Sequence, residues 1–281
     1  MSVWEALILG IVQGIAEFLP VSSSGHLVLL QRIFGINEPA LVFETAVHGG
    51  TLLAVIVVLW RDIWNILRRI VQPLTFYLII ATIPTVIAAL LFKSRIEEAF
   101  ATGAFLGFAF LITSGLLFFS EMLFRRAEKP GGLPGKLAGP AAARDKDEMN
   151  LIDALFIGLL QAVAITPGIS RSGATISAAL SRRLNRDFAA RFSFLLSIPA
   201  IIGALIFQCK DFIKAGTAGE TGAIGLFPIA VGTISACVVA FFSIRLILKI
   251  VREHSLLGFA FYTGILGLLV LADKFFTNFF F

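Results

Sequence analysis

Charge is scarce in this 281-residue chain. Only 15% of its residues are Asp, Glu, Lys or Arg, against about 25% in a soluble domain. With 58% hydrophobic residues, 28 phenylalanines and a mean hydropathy of +0.92, a water-soluble fold is excluded. Short segments of alternating polarity, the mark of a membrane β-barrel, are also missing. The apolar runs are continuous and close to the ~20 residues that a spanning helix needs. The expected fold class is therefore an all-α integral membrane protein. Cys209 and Cys237 are the only cysteines, both in apolar runs, and read as small buried hydrophobes rather than a disulfide or metal pair. The N-terminal MSVWEALILG lacks a basic n-region, so no cleavable signal peptide is expected. The net charge of +5 fits cytoplasmic loops, and no nucleic-acid partner is expected.

What is present is concentrated. Within an oily N-terminal region, QGIAEFLPVSSSGH (13–26) gathers Glu17, three successive hydroxyls, Gly25 and His26. Such groups are costly in hydrocarbon unless paired or used. Pro20 and Gly25 break a continuous helix, and each apolar arm is shorter than a span. The segment reads as a helix–loop–helix that enters the bilayer and returns. Three spans are predicted after it, at about 41–60, 74–92 and 104–124. Residues 125–150, rich in Gly, Pro, Ala and charge, read as a flexible cytoplasmic linker. A second broken stretch, centred on TPGISRSGAT (166–175), follows, and then spans at about 188–208, 226–244 and 256–272.

The chain repeats itself. Displaced by 148 positions, ALILGIVQGIAEFLPVSSSGH lies on ALFIGLLQAVAITPGISRSGA, and at a displacement of 151 the pentapeptide LGFAF at 106–110 recurs at 257–261. The expected organisation is a first repeat at 1–124, the linker, and a second repeat at 151–281. One returning hairpin plus three spans is an odd number of crossings, so the second copy is predicted to be inverted, with the two broken segments meeting near the midplane. Sixteen of the 23 Lys and Arg fall on the linker side and six on the other, with Arg171 inside the second broken segment. The positive-inside rule then places both termini outside and the first hairpin entering from the outer face.

The two copies share Ser-x-Ser-Gly and differ in what they add. The first carries Glu17, Ser23 and His26, and the second Arg171 and Thr175. Arg171, among Ser170, Ser172, Thr175 and the glycine backbone at Gly173, suits a phosphate, whose oxygens its planar fork takes in pairs; alternatively it pairs with Glu17 and ties the hairpins together. Glu17 is read as a divalent-cation ligand, a base or a counter-charge, and His26 as the acid–base group. Ser22, Ser23 and Ser24, with Gly25, are read as phosphate donors, helix caps or a nucleophile.

These motifs carry a resemblance. Gln13-Gly-Ile-Ala-Glu17 is similar to the Glu/Gln-x-x-x-Glu motif of the bacterial undecaprenyl-diphosphatase (bacitracin-resistance) family. Pro167-Gly-Ile-Ser-Arg-Ser-Gly-Ala-Thr175 resembles that family's Pro-Gly-x-Ser-Arg-Ser-x-x-Thr signature, and the likeness covers nearly the whole chain. It implies hydrolysis of undecaprenyl diphosphate to the monophosphate carrier at the inner membrane. Bacitracin resistance would follow, and Mg or Ca would be the cofactor; the charge count, taken separately, has the site open to the periplasmic or outer face. By position, Glu17, Ser23, His26 and Arg171 are the implied functional residues. Gln13 stands where other members carry Glu, which leaves one carboxylate fewer; Glu44 and His48, in the first span, are possible substitutes. A transporter or flippase of a polyprenyl phosphate is the alternative, since inverted repeats with broken helices also serve transport. Membrane lipids are the expected surroundings, and the Gly and Ala content permits a homodimer.

Overall fold

The computed structural model describes residues 1–36, 41–92, 94–95, 105–128, 143–215 and 225–277. Eleven α-helices carry the described chain: α1 (Val3–Ala16), α2 (Ser23–Ile33), α3 (Leu41–Val58), α4 (Trp60–Arg68), α5 (Pro73–Leu91), α6 (Leu106–Glu128), α7 (Leu151–Val163), α8 (Arg171–Ser181), α9 (Arg186–Ala215), α10 (Leu226–Glu253) and α11 (Leu257–Ala272). Five are long and apolar enough to cross a membrane, and α3 with α4 makes a sixth if the bent pair counts as one span. The chain is a multi-pass all-α membrane protein, as expected. α5 turns Ile79, Ile83, Val86 and Leu90 outward along one stripe, a face that suits acyl chains and not water.

Both broken segments form helix–turn–helix hairpins, α1–α2 and α7–α8. Each outer helix opens with a capping box, Ser2 with Glu5 and Asn150 with Asp153. Each inner helix is capped alike, by Ser22 Oγ accepting from the Gly25 amide at 3.2 Å and Ser170 Oγ accepting from the Gly173 amide at 3.0 Å. The duplicated sequence thus gives duplicated local hydrogen bonds.

The hairpins exchange partners between halves: α1 lies along α10, and α7 along α5. Glycine makes both approaches possible. A Cβ on Gly10 would sit 2.3 Å from the Gly232 carbonyl oxygen, and one on Gly158 only 2.4 Å from that of Ala81. These two contacts occupy equivalent positions in the two repeats. Gly158→Ala should lower the detergent melting temperature, by about 1–3 kcal/mol of overpacking. Gly203→Ala, where a Cβ meets nothing within 4 Å, should not. Several of the glycines that would permit a dimer are thus engaged within the chain.

Equivalent spans run antiparallel. Thr45 at the start of α3 hydrogen-bonds Gln208 far along α9, whereas Asp62, just past α3, pairs with Arg191 near the start of α9 at 3.1 Å. α6 and α11 also cross head to tail, Gly107 meeting Leu271 and Ser114 donating to the Ala260 carbonyl.

Two features depart from the sequence reading. The expected span at 41–60 bends by 74° after Val58, and Trp60–Arg68 forms a separate helix. Its Arg61, Asp62, Asn65 and Arg68 cannot continue through hydrocarbon. Ile63 and Ile66 pack on the core, and Trp60 stacks on Trp64, the composition of an interfacial helix.

The second departure concerns the expected linker. α6 runs on to Glu128, and residues 143–150 are built into the fold; 129–142 lie outside the described residues. Arg144 bridges to Leu184 through backbone pairing, and its guanidinium reaches Asp153 at 2.7 Å, which Arg182 also holds at 2.6 Å. Burial would push the Asp153 carboxyl up, but hydrogen bonds from Arg144, Arg182 and the Asn150 amide hold it below its ordinary value. Its folded pKa lies below the unfolded one, so the stability it contributes is complete above about pH 4 and lost as pH falls through the folded value. Asp153→Asn should therefore flatten the acid limb of the stability–pH profile in detergent.

Candidate functional site

The two hairpins meet at their turns, one from each half. Glu17 caps the C-terminus of α1, and α2 restarts at Ser23 after a turn in which Ser22 takes φ +71°. That left-handed conformation is uncommon for a residue with a side chain. In the second hairpin Gly168, at φ +87°, makes the turn before α8. A Cβ there would meet Ala109 and Leu106 of α6 at 2.8 Å, so the position is confined by packing as well as by φ. The loops are laced together: Ser172 Oγ donates to the Leu19 carbonyl at 2.8 Å, and the Gly168 amide to Ser24 Oγ at 3.3 Å.

Glu17 is the centre. Its buried carboxylate accepts from Ser23 Oγ at 2.7 Å and from Gln13 Nε2 at 3.0 Å on one oxygen, and from Arg171 Nη2 at 2.9 Å on the other. His48 Nε2 stands 3.7 Å from the Ser23 side. Arg171 also donates to the Ser193 carbonyl, and its guanidinium lies 5.8 Å from the centre of the Phe18 ring. Ser23 itself is half-buried. Four residues predicted from sequence, Glu17, Ser23, Arg171 and Gln13, thus form one hydrogen-bonded group, with His48 beside it. The ion pair between Arg171 and Glu17 exists as the simpler alternative proposed. It coexists with a carboxylate–hydroxyl contact that an ion pair alone does not require.

The other expected residues have structural partners. Ser22 and Ser170 are helix caps, and Ser170 Oγ lies 3.3 Å from Ser172 Oγ. Thr175 Oγ1 bonds the Arg171 carbonyl and Ser193 Oγ, the latter at 2.6 Å. Gly25 packs against Phe110, so closely that a Cβ would come within 2.7 Å of its ring, and Gly173 is fully buried. Glu44 accepts from Gln31 Nε2 at 2.9 Å, and its backbone carbonyl lies 2.7 Å from His48 Nδ1. His26 points elsewhere: its ring nitrogens contact the Ser22 carbonyl and Tyr262 OH, each at 2.7 Å. It lines an apolar cavity of about 700 Å³ between the first hairpin and the α10–α11 turn.

Thr113, Ser193 and Tyr262 were not singled out from the sequence. Thr113 Oγ1 receives the Ser170 amide at 3.0 Å and also donates to the Ala109 carbonyl. A lone hydroxyl in a span usually bonds its own helix, so nothing local marked this one. Tyr262 did carry a signal, being one of only two tyrosines beside 28 phenylalanines.

Among the described residues no group of three or more His, Cys, Asp or Glu is gathered as a metal cage. The donors at Glu17 are oxygens, with His48 Nε2 3.7 Å away. Gln13 meets Glu17 through Nε2, and its other amide atom, Oε1, is buried and has no hydrogen-bond partner. A carboxylate and an orphaned amide oxygen fit a hard cation such as Mg or Ca whose remaining ligands come from substrate phosphate and water.

Comparison with known proteins bears on the family. The model of the family described as bacitracin resistance protein BacA matches residues 6–269. An undecaprenyl-diphosphatase of Carboxydothermus hydrogenoformans is 42% identical over 96% of this chain and 97% of its own length. Undecaprenyl-diphosphatase 4 of Bacillus cereus is 40% identical over 96% and 97%, and an undecaprenyl-diphosphatase of Methanosphaera stadtmanae 36% identical over 96% and 98%. With the match spanning both hairpins and nearly all of both repeats, the chain belongs to the bacitracin resistance protein BacA family.

Proposed function

We propose that this protein hydrolyses undecaprenyl diphosphate to undecaprenyl phosphate and inorganic phosphate, recycling the lipid carrier for cell-wall synthesis and conferring bacitracin resistance. The observation that carries the chemistry is Ser23 Oγ held 2.7 Å from Glu17 Oε2, with Arg171 2.9 Å from the other carboxylate oxygen. A hydroxyl becomes a nucleophile when a base lies against it, and the group against this one is Glu17.

In the proposed mechanism Arg171 and the first-turn amides of α2 and α8 receive the diphosphate, at two helix N-termini that favour anions. Ser23 Oγ bonds the terminal phosphorus as the bridging P–O bond breaks, its proton passes to Glu17, and the lipid monophosphate leaves with the bridging oxygen. Water then attacks the phosphoserine phosphorus and the P–Oγ bond breaks; Ser23 Oγ takes its proton back from Glu17, and the water's protons leave with the inorganic phosphate. Positioning and charge stabilisation supply most of the acceleration in such transfers. Glu17 and Gln13 would hold the divalent ion, which when bound offsets charge on the phosphate oxygens.

The inverted duplication belongs to the same proposal. The antiparallel pairs α3 with α9 and α6 with α11 support it, as do the reciprocal contacts of Gly10 and Gly158. With the linker in the cytoplasm, the first hairpin opens to the outer face of the plasma membrane. Transport of a polyprenyl phosphate would need neither the hydroxyl nor its adjacent base. The deciding measurement is phosphate release from a polyprenyl diphosphate by the purified protein in detergent with Mg or Ca. Release is expected, and its absence sinks the enzymatic reading.

A further inference from the structure

We propose that Tyr262 is a positioning residue for the reaction at Ser23, acting through His26 on the Ser22 carbonyl. The inference rests on the diphosphatase reading for its catalytic consequence and on hydrogen-bond chemistry for its geometry. A backbone carbonyl can only accept, so the 2.7 Å contact from His26 Nδ1 to the Ser22 oxygen puts the ring proton on Nδ1. In the neutral ring Nε2 then carries a lone pair, and it is Tyr262 OH, 2.7 Å away, that donates to it. The two rings are stacked, 9° from parallel with centroids 5.7 Å apart, and Phe110 closes the imidazole edge-on at 5.5 Å. Both nitrogens of His26 are therefore engaged, and neither is directed at Glu17, Ser23 or Arg171.

The point of anchorage is what gives the contact a consequence. Ser22 is one of two non-glycine residues at positive φ among those described, a conformation that persists only when its surroundings hold it. The next residue is Ser23, whose Oγ must lie against Glu17. Holding the Ser22 carbonyl fixes the peptide from which Ser23 projects. The His26 amide also donates to this oxygen, at 3.2 Å, and Tyr262, 236 positions away on α11, fixes the ring that makes the second, shorter bond. Misplacement of a reacting atom by about 1 Å costs on the order of a hundredfold in rate, so a side chain that never meets substrate acquires a large effect.

Asparagine distinguishes anchoring from acid–base chemistry. Its amide nitrogen takes the place of Nδ1 and can still donate to the Ser22 carbonyl, whereas that of glutamine lies one atom further out. In phosphate release by folded, monodisperse protein, His26→Asn should stay within about tenfold of wild type, and His26→Ala and His26→Gln should fall by a hundredfold or more. Tyr262→Phe, which loses one hydrogen bond, should lower kcat about tenfold with KM unchanged, and cost nothing further in a His26→Ala background. A folded His26→Asn as inactive as His26→Ala overturns the proposal, as does a Tyr262→Phe loss that persists without His26. Nitrogen-15 NMR of histidine-labelled protein, assigned with His26→Asn, tests the geometry without turnover. The Nδ1–H tautomer is expected, and an Nε2–H tautomer overturns the anchoring even if the wild type releases no phosphate, a failure that would count against the diphosphatase reading alone.

Discussion

Replacing Ser23 with alanine is expected to lower phosphate release by at least about 10³-fold while leaving lipid diphosphate binding and the fold intact. Removal of a nucleophile leaves only the contribution of binding and electrostatic stabilisation. The structural cost is small, because Ser23 is half-buried and Glu17 keeps its bonds from Gln13 and Arg171; one lost hydrogen bond is worth about 1 kcal/mol. Wild-type enzyme quenched in acid during turnover should carry phosphate on Ser23, detectable by mass spectrometry. Retained hydrolysis in a folded Ser23→Ala protein would mean that water, activated by Glu17, attacks directly.

Glu17→Gln should have the second large effect, and on two properties at once. Activity should fall by about 10²–10⁴-fold, the usual contribution of a positioned base. Stability should fall by about 3–5 kcal/mol, because the partly buried Arg171 loses its counter-charge. The two losses can be separated. A Glu17→Gln/Arg171→Gln double variant removes the uncompensated charge and should recover much of the thermal stability in detergent with no recovery of turnover. A double variant as unstable as Glu17→Gln would locate the cost elsewhere, in the bonds from Ser23 and Gln13. The same pair bears on substrate entry. In the proposed reaction a phosphate arriving at Arg171 would compete with Glu17 Oε1 for the guanidinium, while Oε2 stays against Ser23.

Much of this was legible in the chain itself. Apolar runs of spanning length gave the class because hydrocarbon thickness acts on each segment separately. The two polar stretches announced themselves because unpaired polar groups are costly at that depth. The repeat was readable because Gly10, Gln13, Ser22 and Ser24 recur at one displacement as Gly158, Gln161, Ser170 and Ser172, and the packing of Gly10 on Gly232 and Gly158 on Ala81 turns that spelling into equivalent contacts.

Other features belong to tertiary structure. Local sequence favours His26, in the polar motif, over His48 in an apolar span, yet His26 faces Tyr262 and the apolar cavity while His48 stands beside Glu17. Nor does it separate the two inner hairpin helices: α8 is buried from Ser172 to Leu180, whereas α2 buries only Gly25, Leu27 and Gln31. The bend after Val58 contains neither proline nor glycine, and it puts Asp62 where Arg191 can reach it. What the sequence by itself determined was the set of groups that had to find partners: a carboxylate, a hydroxyl and a guanidinium in an oily chain. Which partner each took was decided by the packing of one half on the other. Contacts such as Arg171 with Glu17 and Tyr262 with His26 join residues 154 and 236 positions apart, and no local propensity acts over that distance.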